Sequence, residues 1–108
     1  MKKYTLVQTN KFISEYTQVI KYIKFELHNV SAAAKLRNEV FEALKNIEIM
    51  PEAFSKIEIR TNKKHILRWY QCKNYTIFYE FVDDTVILYS FLYSKSDTKN
   101  HLKELLDE

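Results

Sequence analysis

Glycine is absent from this chain of 108 residues. A phosphate-cradling loop or a dinucleotide fingerprint needs backbone that comes closer to its ligand than a Cβ permits, so kinase, ATPase and Rossmann readings drop out. Cysteine occurs once, as Cys72, which excludes an internal disulfide and offers no zinc-ligand spacing. With no nucleophile signature around it, Cys72 reads as a small residue filling a strand. No apolar stretch approaches the roughly 20 residues of a membrane span. The opening MKKYTLVQTN lacks the apolar core of a secretory signal. The expectation is a cytoplasmic protein with no membrane partner, no metal and no cofactor.

What is present is material for a core. Hydrophobic residues make up 46% and aromatics 15%, with 8 Tyr and 7 Phe. That is enough to hold one domain over residues 1–108 without staples, and too little chain for two. The formal charge of +3 favours a nucleic acid or an acidic protein partner and chooses neither.

The periodicity changes twice along the chain. Lys3 to Gln8 alternates Tyr4 and Leu6 with the β-branched Thr5 and Val7, a short strand ending at the cap candidates Thr9 and Asn10. From Phe12 the apolar residues Tyr16, Val19, Ile20, Ile23 and Leu27 recur at helical spacing, and His28 and Asn29 close that helix. Ser31 is a natural N-cap for a second helix. Its buried stripe is expected to be Ala33, Leu36, Val40, Leu44 and Ile47, with Lys35, Glu39, Glu42 and Lys45 in water. Pro51 removes a donor and disfavours helical geometry at Met50, so the helix stops there.

Beyond Pro51 the chain reads as extended. Ile57 and Ile59 alternate with polar residues, and His65 to Gln71, Asn74 to Val82 and Thr85 to Ser94 are rich in β-branched and aromatic residues. Asn62-Lys63, Lys73-Asn74 and Asp83-Asp84 mark the turns. With no glycine available, Asn and Asp are the least costly residues for left-handed backbone. Short turns imply an antiparallel β-meander, and Asp97 to Glu108 forms a terminal helix through Leu102, Leu105 and Leu106. Strict alternation puts Tyr75, Ile77, Tyr79 and Phe81 on one face of their strand. It sets Ile87, Tyr89, Phe91 and Tyr93 against Val86, Leu88 and Leu92 on the last strand. Two helices cover one face of such a sheet, so the other takes the terminal helix or a partner. The fold class is α+β: a first strand, an antiparallel helical hairpin, a meander and a short last helix.

That order resembles the ParE/RelE toxin superfamily, and three stretches carry the likeness. Tyr16 to Pro51, with Tyr22-Ile23, Asn29 and Ala33-Ala34, is similar to the ParE helical hairpin. Asn74-Tyr75-Thr76-Ile77-Phe78-Tyr79 is similar to the family's middle strand. Phe91-Leu92-Tyr93-Ser94-Lys95-Ser96-Asp97 stands where many members carry an apolar strand ending in basic residues. The resemblance implies the toxin of a type II toxin-antitoxin pair, of the plasmid-stabilisation kind, neutralised by a cognate antitoxin. It also implies autorepression by the pair, so that DNA is met only through the antitoxin complex. RelE-like members cleave mRNA on the ribosome, and ParE-like members are associated with DNA gyrase poisoning.

Ribosomal mRNA cleavage requires a group to activate the 2′-hydroxyl, a cation for the phosphate and an acid for the leaving oxygen. Two positions where the resemblance implies basic residues hold Thr76 and Ser96. Arg68, on a face with Ile66 and Tyr70, matches an arginine of many members and is the leading candidate; its bland reading is an ion pair with Glu58 or Glu80. Lys95 and His101 complete the candidate set if the chain is a ribonuclease. Trp69 and the tyrosines read as core ahead of a base-stacking platform. The run Lys56, Arg60, Lys63, Lys64, broken by Glu58, reads as a solvated edge. The leading expectation is a ParE-like toxin that acts by binding. The alternatives are a RelE-like endonuclease and a degenerate member that only binds antitoxin.

Overall fold

The computed structural model describes residues 4–106; Lys3, expected in the first strand, and Asp107 and Glu108, expected in the last helix, lie outside them. The elements run β1 (Thr5–Gln8), α1 (Asn10–Lys21), a π-helical turn (Tyr22–Glu26) and α2 (Val30–Ile49). A 3-10 turn (Pro51–Ala53) leads into β2 (Ser55–Arg60), β3 (Lys64–Cys72), β4 (Tyr75–Val82), β5 (Thr85–Tyr93) and α3 (Thr98–Leu106). This is the α+β order expected from the sequence. The four later strands form the antiparallel meander, and β1 adds to its far edge in parallel beside β5, giving the order β1-β5-β4-β3-β2. A parallel neighbour needs a long crossover, which here is the helical hairpin plus the meander itself.

Local chemistry sets the helix ends. Thr9 caps α1: its hydroxyl accepts from Phe12 N–H at 3.2 Å and donates to the Leu88 carbonyl at 2.7 Å, tying the helix start to β5. The cap of α2 is Asn29, whose Oδ1 accepts from Ala32 N–H at 3.0 Å, and not the expected Ser31. His28 turns the chain with a φ of 51°, so the helix restarts earlier than Ser31 would allow. The π turn is the second departure. Leu27 N–H reaches back to the Tyr22 carbonyl, which inserts a residue and re-phases the stripe. Leu27, expected inside, is 55% exposed. In α2 the buried positions are Ala33, Leu36, Val40, Ala43 and Ile47; Leu44 is half-buried at the margin, because Ala43 takes the position nearest the sheet.

Two cores result. Phe12, Val40, Ile47, Ile77, Tyr79 and Val86 belong to the one between hairpin and sheet. On the opposite face Ile59, Leu67, Phe78 and Leu92 pack against Leu102 of α3, which is fully buried. The terminal helix therefore covers that face, with Trp69 packed beside it. The expected alternation fails on β5. Tyr79 lies opposite Leu88 while Phe78 lies opposite Ser90, so Tyr89 is an extra residue. This bulge puts Val86, Leu88 and Phe91 together in the hairpin core and sends Tyr89 and Leu92 to the α3 face.

Turn chemistry follows the lack of glycine only in part. Asp83 and Asp84 both take positive φ, 49° and 65°, the geometry of a two-residue hairpin turn. In the preceding hairpin it is Lys73, at φ 57°, and not Asn74, that adopts the left-handed conformation.

Candidate functional site

Arg68 projects from β3 toward the end of α2. Its Nη1 donates to the Phe54 carbonyl at 2.8 Å and to the Glu52 carbonyl at 3.1 Å. Across the ladder its partner is Tyr79, fully buried, whose hydroxyl donates to the Pro51 carbonyl at 2.6 Å. Arginine and tyrosine together fasten the segment that joins helices to sheet, and Phe54 packs edge-on against Tyr70 at 4.8 Å. Burial pushes the Tyr79 phenol up to about 12, against the downward pull of Arg68. The expected ion pairs of Arg68 give way to these carbonyls. Glu58 bridges Arg60 at 3.3 Å, and Glu80 accepts from Tyr89 at 3.0 Å.

Lys95 and His101 sit elsewhere. Lys95 is exposed in the turn after β5. His101, exposed on α3, edges a cleft of about 350 Å³ with Glu15, Tyr22, Tyr75, Tyr93 and Ser96. Arg68 lies opposite Tyr79, and Tyr79 opposite Leu88, whereas Lys95 and His101 follow the far end of β5. At about 4.8 Å per strand and about 3.3 Å per residue the separation of Arg68 from Lys95 is on the order of 15 Å or more, and His101 sits on α3, which packs on the face opposite the one Arg68 shares with Tyr79. The fold does not bring the three candidate residues together, and no group of His, Cys, Asp and Glu among the described residues could hold a metal ion.

At the cleft the sheet edge is open beyond β1, and a carboxylate fills the gap. Glu15 Oε1 accepts from Phe91 N–H at 3.2 Å, and Lys11 lies 3.9 Å from Oε2. Burial raises the Glu15 pKa, with the Phe91 N–H the chief opposing influence. Phe91 carries an aromatic cluster: Tyr75 stacks on it at 4.9 Å, and Tyr16 meets it edge-on at 5.5 Å. A charged residue three places after Phe12 and next to Tyr16 was the available sequence signal for Glu15.

Thr76 and Ser96 turn their hydroxyls inward. Thr76, buried, donates to Gln71 Oε1 at 3.2 Å and bonds Ser94 Oγ at 2.8 Å, and Gln71 Nε2 closes the ring on Ser94 at 2.7 Å. Ser96 Oγ donates to the Tyr93 carbonyl at 2.6 Å. These are neutral groups spent on holding the ends of β3, β4 and β5 together.

A second cleft, of about 420 Å³, opens where the hairpin tip meets the β3–β4 turn. Tyr22, Ile23, Leu27, Leu36 and Tyr75 give it apolar walls. Glu39 enters from α2, and its side chain, expected in water, is only 24% exposed. One carboxylate oxygen faces Lys73 Nζ at 3.6 Å; the other, Oε2, is buried with no hydrogen-bond partner among the described residues. A buried acceptor left so costs about 1–3 kcal/mol or more. Glu39 follows Leu36 by one helical turn, which brings it under Lys73 at the edge of the buried stripe.

A helical hairpin laid on one face of a meander, with a parallel first strand and a terminal helix on the other face, defines a small α+β architecture. The family model for the ParE toxin of the type II toxin-antitoxin system, parDE, matches residues 6–98. The chain belongs to that family, and membership implies an antitoxin partner. A search of curated proteins returned no match.

Proposed function

We propose that this ParE-family chain is a toxin that arrests growth by binding its target in the cytoplasm, with DNA gyrase as that target, and that its cognate antitoxin neutralises it. The observation that carries the reading is the internal bonding of Thr76 and Ser96. Where cleavage would call for cations beside a phosphate, neutral hydroxyls are engaged within the fold. Losing one electrostatic group of that kind costs about a hundredfold or more in rate. Arg68 supports the same reading, since its Nη1 serves main-chain carbonyls distant from Lys95 and His101.

Induced expression in a bacterial host tests this. The expected result is a DNA-damage response before protein synthesis stops, with no new mRNA ends inside translated frames. Prompt codon-phased cleavage that disappears in Arg68→Ala would overturn it and make the chain an endonuclease of the RelE kind.

A further inference from the structure

The sheet ends at β2, and among the described residues no strand lies beyond it. The ladder fixes which groups its free edge presents. Cys72 and Tyr75 flank a two-residue turn and so exchange both backbone hydrogen bonds. Alternation along β3 then aims the main-chain groups of Trp69, Leu67 and His65 at their partners Ser55, Ile57 and Ile59. Thr61 keeps the same phase, since its N–H donates back to the Lys63 carbonyl at 2.8 Å. The N–H and C=O groups of Lys56, Glu58 and Arg60 consequently point out from the edge. Their side chains are exposed, on the face opposite to the α3 core that takes Ile57 and Ile59.

A lysine on an edge ordinarily deters pairing. Against an antiparallel second copy of β2, the same charges select a register. Centred on Ile57, the pair sets each Lys56 opposite the second copy's Glu58. A centre at Glu58 opposes glutamate to glutamate and Lys56 to Arg60, and a centre at Lys56 opposes lysine to lysine. Centring on Ile59 matches Glu58 with Arg60 but runs the ladder into Thr61 and Asn62, past the end of the strand.

We propose that the free chain dimerises weakly through β2, two copies pairing antiparallel about Ile57 so that their sheets run into one. Lys56 and the second copy's Glu58 exchange both main-chain hydrogen bonds, and their side chains meet as opposite-charge neighbours. On the other face Ile57 packs on its symmetry mate, extending the α3 core across the junction. About five residues a side fall below a standard interface, so the dimer forms at high concentration and weakens with salt. Nothing in this pairing depends on the toxin's target.

Sedimentation equilibrium of the full chain from about 10 μM to about 1 mM should show monomer and dimer in exchange. By NMR, hydrogen exchange should slow at the Lys56 and Glu58 amides as concentration rises, while the Ile57 amide, already bonded to β3, stays unchanged. Lys56→Glu and Glu58→Lys each set like charges opposite one another at both symmetry-related places and should weaken the dimer at least about tenfold. The double reversal should regain most of that affinity. Both side chains are exposed, so the single reversals leave the fold intact, and recovery in the double variant confirms it. Arg60→Gln, outside the Lys56–Glu58 pairs, should change affinity by less than about threefold. A chain monomeric at about 1 mM, a dimer indifferent to both single reversals, or a double variant no better than the singles would overturn the proposal. So would a tenfold loss in Arg60→Gln, which moves the centre to Ile59, or protection of the edge amides only beside a co-expressed protein, which gives the edge to a partner's strand.

Discussion

Tyr79 shows how a single side chain couples the core to solvent conditions. Its phenol is fully buried, donates to the Pro51 carbonyl and titrates at about 12 instead of 10.0. Between these values the unfolded chain has lost the proton while the folded one keeps it. The unfolded state then binds fewer protons, and stability falls as pH rises. The stabilising contribution is complete below pH 10 and gone above about 12. Urea melts from pH 8 upward should show that decline beginning near 10, and Tyr79→Phe should flatten part of it. At neutral pH the same substitution leaves the Pro51 carbonyl without its donor and should cost about 1–3 kcal/mol. Arg68 belongs to the same fastening. The sequence marks this arginine as a candidate site residue through its match to the family, but a guanidinium bonded to carbonyls and one awaiting a phosphate look identical in a sequence. Glu15 carried no expectation and Glu39 was expected in water, because a carboxylate at the margin of an apolar stripe is ordinarily solvated.

At the scale of elements, the stripes, the stop at Pro51 and the terminal helix were legible because each rests on periodicity or on one residue's stereochemistry. The π turn after α1 and the bulge at Tyr89 were not. Each adds a residue without changing composition, and each moves side chains, Leu27 and Tyr89 among them, off the face that strict counting assigns. The cap of α2 moved for a related reason, since the left-handed His28 shortened the turn. Asn29→Ala should therefore cost about 1 kcal/mol, whereas Ser31→Ala, already inside the helix, should stay within a few tenths. Thermal melts of the two variants decide between the caps, and a larger loss at Ser31 would contradict the observed start of α2.

For the whole molecule, the sheet divides two unequal cores, and the smaller depends on one short helix. Nine-residue helices are marginal alone, so α3 is held mainly by burying Leu102 among Ile59, Leu67, Phe78 and Leu92. Leu102→Ala should cost about 2–5 kcal/mol and raise binding of a hydrophobic dye as the helix loosens from the sheet. Unchanged melting would show that α3 contributes little to the fold. The parallel seat of β1 beside β5, which turn signals could not reveal, has its own effect on the timing of synthesis. Roughly 80 residues separate Thr5 from Thr85, its partner. At about 5–20 residues per second a ribosome needs on the order of 4–16 s to make them. Until then β1 has no ladder to join and α1 no strand to anchor its cap, so a nascent chain interrupted before β5 holds β2, β3 and β4 as a sheet left open along β4, the side that β5 and β1 complete.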